Sequence, residues 1–265
     1  IVFRPTGEFE RDKQYSISAD LSQLFEDVSD TDKNFTFKFS TLPISLRGNL
    51  ESMSVNTANE STYDFVVNLY TADSETPETV ESLVKISENG TLSWVHSDDG
   101  KKHILKIEGV AGGKKVKTME VSVGANKIGA AKGEILSVYV PSSEEFGVYD
   151  IRYVTEPERY VEVVFSKTLD PSQNLEGLAQ ITDNRSATVT KDGNKVRLYP
   201  DAGRKGSITV QLDASIKSKG GATLGEYITR EIELSSEAPA VKFIGEGVVV
   251  PQSTQILVPF RAVYL

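Results

Sequence analysis

The chain contains no cysteine. That excludes disulfides, thiolate metal sites and a cysteine nucleophile within these residues. It does not fix a compartment, because proteins of oxidising and reducing compartments alike can lack cysteine. Histidine and tryptophan are nearly absent: His96, His103 and Trp94 are all there is. Two histidines in one short stretch leave little choice of general base, and no GxSxG motif accompanies them, so no Ser/His/Asp hydrolase set can be assembled. Gly-rich phosphate loops are missing as well. "GAAKGE" lacks the Walker spacing and no helix signal follows it. No apolar run approaches the ~18 residues of a membrane span. No signal-peptide pattern precedes Ile1, so an exported parent is expected to carry its leader upstream.

Positive charge is also scarce. With 29 Lys and Arg against 38 Asp and Glu, the net charge of −9 argues against a nucleic-acid partner or an anionic membrane face, both of which need clustered cations. Lys101, Lys102, Lys114, Lys115 and Lys117 cluster in turn-rich sequence and read as solvated hairpin tips. The acids form surface runs at Asp73–Glu78 and Ser143–Glu145 without a partner pattern. They offer many carboxylate pairs for sugar hydrolysis, and none stands out.

What is present is β-structure. "YSISADL" (Tyr15–Leu21), "FTFKFST" (Phe35–Thr41), "YDFVVNLY" (Tyr63–Tyr70), "HILKIEGV" (His103–Val110), "KTMEVSV" (Lys117–Val123), "YVEVVFS" (Tyr160–Ser166), "KVRLYP" (Lys195–Pro200), "SITVQLD" (Ser207–Asp213) and "TREIELS" (Thr229–Ser235) alternate apolar and polar residues. Between them stand turn dipeptides, in Glu88–Gly90, Asp98–Gly100, Ala111–Lys114 and Lys191–Asn194. Helix signals are few: one turn around Leu21, Leu24 and Phe25, and one within Ser172–Ile181 after Asp170-Pro171. The fold class is all-β, with tandem sandwich domains.

An internal repeat orders them. Pro5 and Pro200 each close a strand, Asp20 and Asp213 each end the next, and Phe35 and Ile228 each lie 15 residues beyond that Asp. The second copy has a front half before these landmarks and the first does not. The expected layout is therefore 1–44 as the back half of an Ig-like sandwich, 45–126 as a middle β-sandwich, 133–237 as a complete sandwich, and 238–265 as the first strands of a further domain. "GANKIGAAKGE", Gly124–Glu134, reads as an inter-domain turn, and hinges are expected near Pro43, across Gly124–Gly133 and near Ala238.

Three chemical candidates remain. His96 and His103 flank a turn and can face each other across a hairpin, with Asp98 and Asp99 nearby as possible co-ligands of a divalent metal; the plainer reading is a polar hairpin edge. "SDDG" and "KDGN" echo calcium loops but lack the alternating acids and the closing Glu. Trp94 with Tyr63, Tyr70, Tyr139, Tyr149, Tyr153 and Tyr160 suggests a sugar-stacking platform, against the plainer reading of core packing.

Two segments carry a family resemblance. "VVFSKTLDPSQNLEGL", with Ser166, Leu169, Asp170, Gly177 and Leu178 at the motif positions, resembles the bacterial Ig-like modules of surface and envelope proteins. "PAVKFIGEGVVVPQSTQILVPFRAVYL", Pro239–Leu265, resembles the opening of a macroglobulin-like domain in bacterial alpha-2-macroglobulins of the Bacteroidetes type. The resemblance implies non-enzymatic N-terminal scaffolding of an envelope protease inhibitor. Such a protein traps target proteases through a downstream bait region, often with a Cys-Gln thioester. It also implies a periplasmic or cell-surface location through an upstream lipid anchor, and a cell-wall synthase or other envelope protein as a partner. No catalytic, cofactor or metal residue carries over. The alternative is a surface glycan-binding or adhesin module, which needs Trp94 exposed and flanked by two tyrosines.

Overall fold

A computed structural model of the chain describes residues 5–7, 9–23, 25, 28–29, 31, 33–41, 43–123, 136–155, 158–182, 187–201, 203–234, 240–243 and 260–263. The chain divides into two compact units, Ile1–Ser143 and Glu144–Leu265. Both are built almost wholly from β-strands, as the alternating patterns require.

The first unit opens with a hairpin, β1 (Gln14–Asp20) against β2 (Asn34–Ser40). A 3-10 turn, Leu21–Gln23, follows β1, where the sequence predicts one helical turn. Seven strands come next: β3 (Leu46–Val55), β4 (Thr62–Thr71), β5 (Val84–Ile86), β6 (Thr91–His96), β7 (Lys102–Ala111), β8 (Lys117–Val123) and β9 (Leu136–Val140). They form a four-stranded sheet, β3-β4-β7-β6, and a three-stranded sheet, β5-β8-β9. Lettered A to G in chain order, this is A-B-E-D over C-F-G, the constant-type immunoglobulin arrangement. The core draws on both sheets, with Phe65, Val67, Leu105, Ile107, Met119, Val121, Val138 and Val140 buried.

The single helix of the described residues, α1 (Pro77–Leu83), joins strands B and C. The acidic run at Asp73–Glu78 conceals its start. Thr76 Oγ1 caps it by accepting from Thr79 N (3.3 Å), and Pro77 fits the first turn because no intrahelical donor is needed there. Val80 and Leu83 plug the core beneath it.

Strand β9 corrects the expected layout. The reading placed the start of the next domain at Gly133, but Leu136–Val140 pairs antiparallel with β8 as strand G of the middle domain. Segment 124–135 therefore joins two paired strands of one sheet, and is not an inter-domain turn; its own structure lies outside the described residues. Tyr63 fastens this end of the domain. Its ring is fully buried, its hydroxyl donates to Ser142 O at 2.9 Å, and burial pushes its pKa up to about 12. Gly112 is needed against it, since a Cβ there would lie 2.8 Å from the Tyr63 ring and 3.1 Å from Pro141 O.

The second unit repeats the plan. β10 (Val148–Val154), β11 (Tyr160–Phe165), β12 (Ala179–Ile181), β13 (Thr188–Asp192), β14 (Lys195–Tyr199), β15 (Gly206–Leu212) and β16 (Ile228–Leu234) form the sheets β10-β11-β14-β13 and β12-β15-β16. This is again A-B-E-D over C-F-G. One cluster spanning both sheets, including Val163, Phe165, Ile181, Leu198, Ile208 and Leu212, is its core. Beyond it, β17 (Ala240–Phe243) pairs antiparallel with β18 (Phe260–Val263).

Candidate functional site

The candidate with most chemistry is the histidine pair on strands D and E of the middle domain. Cross-strand register sets His96 opposite His103, as the hairpin reading expects. Leu92, Trp94 and His96 share the inward face, opposite buried Ile107, Leu105 and His103. The two Nδ1 atoms lie 2.8 Å apart, and His96 Nε2 lies 3.2 Å from Glu81 Oε1 on α1. His103 Nε2 lies 3.4 Å from Thr71 Oγ1. With Glu81 a carboxylate, His96 donates from Nε2 and accepts at Nδ1 from His103 Nδ1–H. His103 Nε2 then remains an acceptor beside the Thr71 hydroxyl. Burial, and then the neighbouring His96, hold the His103 pKa below its usual value.

This geometry does not gather metal ligands. A nitrogen separation of 2.8 Å is a hydrogen bond, and two nitrogens each about 2.0–2.1 Å from a tetrahedral zinc stand farther apart. Asp99, expected nearby, spends its Oδ1 inside the turn on Ser97 Oγ (2.6 Å) and Lys101 N (3.0 Å). Among the described residues no group of three or more acidic or histidine side chains is arranged to hold a metal ion. Glu81 was invisible to sequence reasoning because the helix that presents it was missed.

The lysine of the "KDGN" turn reaches out to a different loop. Lys191 Nζ donates to the carbonyls of Asp170 (2.5 Å), Pro171 (3.1 Å) and Gln173 (2.8 Å), so it ties the hairpin to that loop. The motif residues around it hold structure. Asp170 Oδ1 accepts from Ser172 N and Oγ, Leu169 is buried, Gly177 has φ +79°, and Ser166 Oγ accepts from Gly147 N at 3.0 Å. Glu162, buried on strand B of the same unit, is paired with Arg152 at 2.7 Å.

Trp94 is half-buried and stacks on His96, with ring centroids 5.7 Å apart and planes 11° apart. Among the described residues no tyrosine ring stacks on it. Tyr70 instead lies under Lys102 on the other face. The expected tyrosines are dispersed: Tyr63 is in the middle core, Tyr160 faces Tyr199 and Arg197, and Tyr149 lines a groove.

That groove, about 760 Å³, runs between edge strands A and G of the second unit, with Val148, Tyr149, Ile151, Tyr227, Arg230 and Glu231 in its walls. Burial, and then Asp150, raise the Tyr149 pKa. Tyr227, exposed, is held by Asp213. Among the described residues no nucleophile–base pair faces it.

No family model matches the chain, and no curated protein or solved structure is similar enough to count as a match.

Proposed function

We propose that this chain is a non-enzymatic scaffold of tandem immunoglobulin-like domains, from the N-terminal region of a bacterial envelope protease inhibitor of the alpha-2-macroglobulin kind. The observation that carries the reading is the Pro239–Leu265 pattern following directly on two A-B-E-D/C-F-G sandwiches. The polar clusters support a structural role: the histidine relay, the Lys191 carbonyl cage and the Asp170 turn each satisfy their groups within the fold. In this reading the domains position a downstream trap, hold it away from the membrane, or dock an envelope partner such as a cell-wall synthase. The parent is anchored by lipid and faces the periplasm or the cell surface.

The test uses the full-length protein. Mixed with an excess-free amount of trypsin, it is expected to be cut in one exposed region and to suppress cleavage of a large protein substrate while sparing a small peptide substrate. Unchanged digestion of the large substrate overturns the proposal. The glycan-binding alternative requires an open aromatic platform at Trp94, and its half-burial against His96 counts against that reading.

A further inference from the structure

Strands A and G flank the seam where the two sheets of each sandwich meet, and the two sandwiches close it differently. In the middle domain the inward residues are buried: Leu46, Met53 and Val55 on A, and Val138 and Val140 on G. In the second unit Val148, Ile151 and Tyr153 on A, and Ile228 and Ile232 on G, pack against the core yet stay half-buried. Leu234, at the end of G, is buried. Val148, Ile151, Ile228 and Ile232 line the groove of about 760 Å³ along this seam.

Both flanking strands are edges. Among the described residues β10 pairs only with β11, and β16 only with β15. An edge strand carries a row of unpaired backbone N–H and C=O groups. On β10 that row is disturbed by a register shift between Val148 and Asp150. β16 runs without a break from Leu212↔Ile228 to Gly206↔Leu234. It is therefore the edge better able to accept another strand.

Charge sets the pattern of the occupant. Arg230 pairs with buried Val210, which places it on the inner face of β16, between Ile228 and Ile232. It lines the groove, is exposed, and has no ion-pair partner among the described residues. A wholly apolar strand laid over it would bury an unpaired guanidinium, whereas a carboxylate in register would pair with it. Two acids that line the groove stand on the outer faces of their sheets. Glu231 is opposite Thr209, and Asp150 is opposite Val164. Glu226, also in the lining, precedes the strand.

We infer that the open edge of β16 takes up an extended segment of a partner protein by strand addition, with an apolar–acidic–apolar face turned inward and basic residues turned outward. The carboxylate meets Arg230, its apolar neighbours cover Ile228, Ile232 and the strand A side of the groove, and the basic residues run beside Glu231 and Asp150. Arg230 then both rejects uniformly apolar strands and selects the matching one. The inference stands apart from the protease-inhibitor reading.

The test uses the 265-residue chain and the end-blocked synthetic peptide VKVKEKVKV, whose alternate residues present valines around one central glutamate, in either chain direction. Fluorescence anisotropy of the labelled peptide is expected to show saturable binding, and hydrogen exchange to slow across Ile228–Leu234. The peptide VKVKKKVKV, more cationic and so favoured by the chain's net charge of −9, is expected to bind about ten-fold more weakly. Arg230→Glu, at an exposed position, is expected to reverse that preference without changing the unfolding of the domain. Absence of saturable binding, equal affinity for the two peptides, an unchanged preference in Arg230→Glu, or protection elsewhere than β16 overturns the inference. So does a concentration-dependent dimer of the chain that protects Ile228–Leu234 without peptide, since the occupant is then a second copy.

Discussion

Val138→Ala decides where the middle domain ends. Val138 is 1% exposed on β9 and pairs with Met119 on β8. Truncation removes two methyl groups, about 0.8 kcal/mol each in transfer terms. The cavity left between the sheets raises the expected loss to roughly 2–3 kcal/mol. For a sandwich of this size each kcal/mol moves the midpoint by about 4–8 °C, so the middle domain's transition falls on the order of 10 °C or more. Calorimetry of the whole chain is the assay, and controls name the transitions. Tyr63→Phe, which strips the hydroxyl from Ser142 O, lowers the same transition by about 1 kcal/mol. Leu212→Ala, at a fully buried site of the second unit, lowers the other by roughly 2–5 kcal/mol. If Val138→Ala moves the transition that Leu212→Ala moves, or neither, then β9 is not a core strand of the middle domain.

Three further outcomes follow from named contacts. His103 is held neutral by burial and by His96, so its folded-state pKa lies below the unfolded value of 6.5. The middle domain should then keep full stability above about pH 6.5 and lose it as pH falls from there towards the lower, folded pKa. His103→Gln should flatten that slope in denaturant titrations, and an unchanged slope refutes the assignment. Gly100 has φ +64°, and a Cβ there would meet Ser74 Oγ at 2.6 Å and Glu75 O at 2.9 Å. Gly100→Ala should therefore cost about 1–2 kcal/mol in backbone strain alone, read as a lower urea midpoint. Arg11 pairs with Asp73 (3.0 Å) and with Glu75 (2.7 Å), whose pKa is raised by burial and drawn back by Arg11. Arg11→Ala should raise the Glu75 pKa further in an NMR titration; an unmoved value breaks the link between the hairpin and the loop before α1.

Much of the fold was legible because strands such as Phe35–Thr41 and Ser207–Asp213 alternate cleanly between a core face and a solvent face. Where alternation is interrupted, legibility failed. Strand β3 has a bulge between Leu50 and Ser52, so its buried face changes parity: Leu46 is buried before it, Met53 and Val55 after it. Strict alternation counted from Leu46 accordingly puts half-exposed Leu50 on the core face and leaves Met53 off it. Leu92, apolar between Thr91 and Ser93, carries the local pattern of a core residue, yet it is 39% exposed because β6 is an edge strand. The Gly/Ala run at Gly124–Glu134 carries the composition of a linker, and composition cannot distinguish a linker from a loop between paired strands. At the candidate site, the His96–His103 opposition followed from the hairpin alone. Glu81 and Thr71 reach the pair through tertiary packing, which no local pattern encodes.

The measurement that bears most directly on the proposed role is the sequence of the gene beyond Leu265. The account predicts a continuation into macroglobulin-like repeats, with or without a Cys-Gln thioester motif. A stop codon shortly after Leu265, or a continuation into a carbohydrate-active domain, would contradict it.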